Sequence, residues 1–144
     1  MKLFTAGVAL LCVLATASSA QDVKPDDRTH AEDAPAYRLL HAREVAAEAE
    51  LNKVLTMYTP SFPAVPSKQF ELDVIRREAA KMLLTAPERL DRLSEAYGDM
   101  ILRRIALEVE VRDALTTYTS RHPLVREKLS ALSRAEREAA KYLR

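Results

Sequence analysis

The chain has 144 residues, with 22 Lys or Arg against 21 Asp or Glu, 48% hydrophobic residues, no tryptophan and one cysteine. A balance this close to neutral gives no charge drive toward nucleic acid, and a single cysteine excludes an intrachain disulfide. The two glycines, Gly7 and Gly98, are too few and too far apart for a Gly-rich phosphate loop or a dinucleotide fingerprint.

Residues 1–20 read as a cleaved signal peptide. Lys2 supplies the positive start, Ala6 to Ala15 the short apolar stretch, and Ser18-Ser19-Ala20 the small residues before a cut at Gln21. The apolar run is shorter than the ~20 residues a spanning helix needs. Cys12 lies within it, so the processed chain is expected to hold no thiol. Periplasmic or secreted localisation follows, with no membrane span after cleavage. Residues 21–35 are acidic and carry Pro25 and Pro35, which suits a flexible leader; a short helix over Thr29 to Asp33 is the alternative.

The remainder has no alternating strand pattern and is rich in Ala, Leu, Glu, Arg and Lys, all strong helix formers. A first helix is expected from Ala36 to Met57, with Tyr37, Leu40, Val45, Leu51, Leu55 and Tyr58 on its apolar stripe. Pro60 and Pro63 end it, because proline lacks an amide hydrogen and clashes with the preceding turn. A second helix is expected from Pro63 to Leu84, through Val65, Leu72, Ile75, Ala79 and Met82. Thr85-Ala86-Pro87-Glu88 reads as a capping box. It would open a third helix running to Thr117, about 45 Å long, with Leu90, Leu93, Tyr97, Ile101, Ile105, Val111, Leu115 and Tyr118 on its stripe. A fourth is expected from Pro123 through Val125, Leu129, Leu132, Ala135, Ala139 and Leu143.

One element occurs twice, sixty positions apart and without a gap. Tyr58-Thr59, Pro63 and Val65 recur as Tyr118-Thr119, Pro123 and Val125, and Arg77-Glu78-Ala79-Ala80-Lys81 recurs as Arg137-Glu138-Ala139-Ala140-Lys141. Arg43/Arg103, Glu48/Glu108, Glu50/Glu110, Lys68/Lys128 and Leu72/Leu132 also coincide. A repeat of this length is one supersecondary unit used twice. Each copy is helix, short proline turn, helix, and short turns make such helices antiparallel. The fold class is therefore all-α: two tandem antiparallel helical hairpins, residues 36–84 and 85–144, with narrow, coiled-coil-like seams. Leu102, Leu107 and Val109 fall off the third helix's seam, which points to self-association.

The turn is the strongest local motif. Tyr58 and Tyr118 are expected to close the seam at the tip, Thr59 and Thr119 to satisfy free backbone groups, Pro63 and Pro123 to start the return helices, and Val65 and Val125 to pack back under the tyrosines. The alternative makes the tips docking knobs. The run Tyr118-Thr119-x-x-His122-Pro123-x-Val125 before a Leu-rich helix resembles the periplasmic coiled-coil region of Wzz-type polysaccharide chain-length determinants and their tyrosine-kinase relatives. Tyr97-Gly98 with Arg103, Leu107, Glu108 and Glu110 resembles the helix before that turn. The likeness is best over Ala96 to Leu143; in the first copy Phe62 stands where that family has His. The flanking membrane helices and the kinase domain have no counterpart here. The resemblance implies a helical, self-associating envelope module without catalytic residues.

Glu48 and Glu108 fall on the apolar stripe in both copies, where a carboxylate needs a partner. Arg76, Arg77, Arg134 and Arg137 lie within reach across the hairpins, so these groups are expected to form seam ion pairs that set register. His41, Glu44 and Glu48 share a helix face, but Ile101, Arg104 and Glu108 replace them in the second copy, which speaks against a metal site. Nothing points to catalytic residues, a cofactor, a small-molecule substrate or nucleic-acid binding. The expected role is a non-enzymatic exported coiled-coil scaffold or interaction protein of the cell envelope, linked to polysaccharide export and binding itself or another envelope protein. The alternatives are a periplasmic chaperone or stress-response hairpin protein, for which Leu55-Thr56-Met57-Tyr58 lacks the Gln of one such group, and a secreted effector, for which Arg38-Leu39-Leu40-His41 falls short of Arg-x-Leu-Arg.

Overall fold

The structure, a computed structural model, describes residues 30–142. The expected signal peptide, Cys12, most of the leader and Leu143 of the last stripe lie outside the described residues. The chain is all-α: α1 (Pro35–Met57), α2 (Ala64–Leu83), a 3-10 helix (Pro87–Arg92), α3 (Glu95–Thr117) and α4 (Pro123–Tyr142). The end of the leader is part of the fold. Residues 30–32 make a helical turn, and Ala31 and Ala34 are buried, because small side chains let this segment lie flat on the bundle.

The first and third helices stop at equivalent positions. Tyr58 and Tyr118 leave the helix with extended backbone (φ −135°, ψ 156° and φ −121°, ψ 153°), and their amides donate to the carbonyls of Val54 and Ala114. Helix α1 runs antiparallel to α2, since Glu44 and Glu48 meet Arg76 while Glu50 meets Lys68. Helix α4 returns along α3 in the same way, with Glu110 meeting Lys128 and Tyr97 near Tyr142. Helix α2 is also antiparallel to α3: Ser67 reaches Asp113, Arg77 reaches Glu108, and Glu78 reaches Arg104. Helix α3 is therefore central, with α1 and α2 on one side and α4 on the other.

The core gathers Leu40, Leu51, Leu72, Val74, Ile75, Met82, Leu93, Tyr97, Ile101 and Ile105. The stripe expected on α2 is buried throughout. On α1 the burial falls on Ala36, Leu40, Ala47 and Leu51, while Val45 and Leu55 are 55% and 39% exposed. The small residues face inward because α1 approaches α3 closely. Leu115 and Leu129 are exposed as well, since α4 covers only one side of α3 near the tips. Leu102 packs against the core, and Leu107 and Val109 are half-buried within one chain.

The third helix is shorter than the capping-box reading gives. Thr85 makes no side-chain cap; its amide donates to the Met82 carbonyl, and the N-cap of the 3-10 helix is Ala86. Leu93 then leaves helical geometry, is buried, and offers its carbonyl to the amide of Ala36 at 3.0 Å. A carbonyl pledged across the bundle cannot serve a continuous helix, so α3 starts afresh at Glu95. Ser94 is its N-cap, accepting from the amide of Tyr97 at 3.3 Å. Helix α3 is thus about 35 Å long.

The two repeats part company on one face. Along α2, Ser67, Phe70, Val74 and Glu78 lie at spacings of three and four, on the stripe that meets α3. Sixty residues on, α4 has Glu127, Ser130, Arg134 and Glu138, all exposed.

Candidate interaction surface at the hairpin tips

Because α1 and α3 start side by side and have the same length, both hairpin tips fall at one end of the bundle. Each tip is built alike. Thr56 and Thr116 turn their hydroxyls back onto the carbonyls of Lys53 and Asp113, both at 2.7 Å. The Thr59 and Thr119 carbonyls accept from the amides of Phe62 and His122 at 2.9 and 3.0 Å, closing each turn. Thr59 satisfies backbone through its carbonyl; its hydroxyl lies 3.2 Å from that of Ser61.

Tyr58 stacks on Phe62 with centroids 4.1 Å apart, and Tyr118 stacks on His122 at 4.2 Å. A ring four residues after Tyr stacks on it in both turns, and Phe and His both supply it. The His122 Nδ1 also accepts from the amide of Leu124 at 3.3 Å. Val65 and Val125 are fully buried beneath the tips. Pro123 begins α4, whereas Pro63 sits one residue before α2 as its N-cap, already in αR geometry (φ −55°, ψ −29°).

The tyrosines do not close a seam. Tyr58 and Tyr118 are 45% and 41% exposed, because their helices have already ended and the rings stack on the turn itself. Leu55, Met57 and Phe62 are exposed beside one tip, and Leu115, Leu124 and Leu129 beside the other. Large apolar groups of similar exposure elsewhere among the described residues are Val45, Leu84 and Tyr142. Residues 51–70 contain Lys53 and Lys68 and no acid; residues 114–126 contain Arg121, His122 and Arg126 and no acid. An open cleft of about 630 Å³ runs between the tips, with Pro63, Pro66, Arg112 and Thr116 among its walls. Arg112 is fixed there by the Pro66 carbonyl at 2.5 Å and by the Phe70 ring 4.6 Å below it.

The repeated glutamates pair with two of the expected arginines, Arg76 and Arg77, but at the edges of the helix contacts rather than buried within them. Glu48 is exposed and lies 3.4 Å from Arg76. Glu108 is better covered, its side chain 24% exposed, and pairs at 2.7 Å with Arg77 of the other hairpin. Arg134 and Arg137 are exposed and have no acid within ion-pair distance among the described residues. The helices pack through small side chains, so the register turns Glu48 outward.

The buried charge is Glu78, 6% exposed. Arg104 lies 2.6 Å from it and Lys81 2.7 Å. Burial alone would raise its carboxyl, but Arg104 and Lys81 outweigh that and hold it below the usual range. Burial and the Glu78 charge push the Tyr97 hydroxyl up. Arg104 Nη2 is 2.6 Å from the Glu78 carboxylate, though neither it nor Nε has a well-directed hydrogen bond. A cleft of about 260 Å³ opens here between α2, α3 and α4.

Hairpin one also carries a network that hairpin two lacks. Arg43 pairs with Glu50 at 2.9 Å and with Glu71, and Lys68 pairs with Glu50 at 2.5 Å and Glu71 at 3.0 Å. Ala131 replaces Glu71 in the second copy, where Glu110–Lys128 alone remains. Arg76 occupies Glu44 and Glu48, and His41 lies over Tyr37, so that face is not assembled as a metal site. Among the described residues no group of three His, Cys, Asp or Glu is placed to hold a metal ion, and no helix is long and apolar enough to cross a membrane.

Sequence reasoning missed two residues. Gly98, alone in the middle of a helix, was a readable signal, since glycine there costs about 1 kcal/mol against alanine and calls for a packing reason. Glu78 was readable as the polar member of the Val74–Glu78–Met82 stripe. Compared with known proteins, the chain matches no family model, no curated protein and no solved structure.

Proposed function

We propose that this chain is a non-enzymatic helical scaffold of the cell envelope that engages its partner through the paired hairpin tips. The observation that carries the reading is the doubled tip. Two copies of one turn keep the same backbone and the same ring stack, yet leave their tyrosines exposed at a single end. The ring stack serves each turn, but the exposed area of Tyr58, Phe62 and Tyr118 costs free energy in water that a docking partner would recover. The resemblance of Tyr118-Thr119-x-x-His122-Pro123-x-Val125 to the chain-length-determinant turn supports export and a link to polysaccharide export.

Photo-cross-linking residues placed at 58, 118 and 134 in the native host test the reading. Cross-links at 58 and 118 and none at 134 are expected. Equal cross-linking at all three, or none at the tips, would overturn it. A chaperone is the second reading, favoured by the exposed Leu55, Met57 and Leu115. It requires the chain to suppress aggregation of an unfolded client and to lose this when the tip residues become polar.

A further inference from the structure

We infer that the surface the tips engage is an anionic lipid bilayer, onto which they dock as a two-pronged interfacial anchor without spanning it. This rests on the tips being the docking element of the proposed scaffold. Tyr58 and Phe62 on one tip and Tyr118 on the other are 45%, 39% and 41% exposed at convex ends. Tyrosine rings, apolar in body and polar at the edge, settle at the headgroup level of a bilayer, and Phe62 adds apolar area beside one of them. Around them Lys53, Arg121 and Arg126 have no acid within ion-pair distance among the described residues. Of the acids nearest in sequence, Asp113 accepts from Ser67 at 2.7 Å, and Glu127 is exposed on the second turn of α4.

Charge complementarity selects an anionic surface, because each uncompensated cation near such a membrane adds attraction. The inequality of the tips selects a bilayer over a protein site. One carries Pro60-Ser61-Phe62 and the other Ser120-Arg121-His122. A rigid protein groove would need two differently shaped pockets, whereas a fluid interface accepts both. One small apolar knob binds a membrane weakly, but two knobs fixed at one end of a rigid bundle act together.

The test is co-sedimentation of the full chain with phosphatidylcholine vesicles, with and without phosphatidylglycerol. The comparators are a tip variant (Tyr58→Ser, Phe62→Ser, Tyr118→Ser) and a charge variant (Arg121→Ser, Arg126→Ser), so the apolar residues near the N-terminus are common to all. Thermal melts check that each variant stays folded. Binding to the anionic vesicles is expected, weakened by salt, reduced about tenfold or more in the charge variant and lost in the tip variant. Equal binding with and without phosphatidylglycerol, or unchanged binding by the tip variant, overturns the lipid assignment. So does a dimer that only the tip variant loses, which would make a second copy the occupant. If vesicles are not bound but cross-links from 58 and 118 to a protein persist, the lipid assignment falls and the docking reading stands; if neither forms, both fall.

Discussion

Gly98 of α3 faces Ala36 of α1 so closely that a Cβ on Gly98 would stand 2.9 Å from the Ala36 Cα. The obstacle is backbone, held in place by the Ala36 amide to Leu93 carbonyl bond, and cannot swing aside. Gly98→Ala therefore sets two effects against each other. Helix propensity favours alanine by about 1 kcal/mol, and overpacking costs about 1–3 kcal/mol. We expect a net loss, seen as a melting temperature lowered by roughly 5 °C. An unchanged or raised melting temperature would show that α1 and α3 are less tightly apposed.

Glu78→Ala is expected to cost about 3 kcal/mol, in the range for breaking a buried pair, because Arg104, its side chain 14% exposed, is left stranded. Glu48→Ala, at an exposed pair, should cost less than about 1 kcal/mol. Glu108→Ala should fall between them, and Glu110→Ala with Glu48→Ala. Denaturant titration gives the order. The double variant Glu78→Met, Arg104→Met should recover much of the loss, since it removes both charges from the interior.

The Glu50 carboxyl is lowered from 4.5 to about 2, by its hydrogen bond to Lys68 and then by that to Arg43. A carboxylate whose folded pKa lies below its unfolded one stabilises the fold above the unfolded value. That stabilisation disappears as pH falls through the folded value. Stability should therefore decline between about pH 4.5 and pH 2, and Glu50→Gln should flatten the decline. Its side chain is 43% exposed, so solvent screening keeps the effect modest. A decline of the same slope in the variant would assign it to other carboxylates, Glu78 first.

Ser94→Ala should lower stability by about 1 kcal/mol, because it removes the cap that restarts α3. Thr85→Ala should change stability by less than about 0.5 kcal/mol, as for a side chain without a special contact. The reverse ranking, measured by thermal melts, would restore the longer helix.

How much was legible follows from where the information is local. The turns were readable because proline acts within its own residue and the one before it: both helix ends and both return helices fall within a residue of their expected places. The α2 stripe was readable because its large apolar residues repeat at helical spacing. The break at Leu93 was not, because the bond that diverts its carbonyl goes to Ala36, nearly sixty residues away. Nor was the rotation of α1, where Ala36 and Ala47 are buried in preference to Val45 and Leu55. Side-chain size pointed one way, while close approach to Gly98 demanded the other. The tips were legible as turns, but the exposure of Tyr58 and Tyr118 became clear only with both hairpins in place.

The exchange of Phe70 and Val74 for Ser130 and Arg134 closes the outer face of α4 to a further hairpin. Head-to-tail growth of hairpin on hairpin requires an outward apolar stripe on the last member, and α4 offers charge there instead. This face of α4 is a wettable wall. Ser130→Phe with Arg134→Val would reopen that wall and expose a heterologous docking stripe with nothing to close it. Sedimentation of that variant should reveal open-ended polymers where the parent sequence gives none through this face.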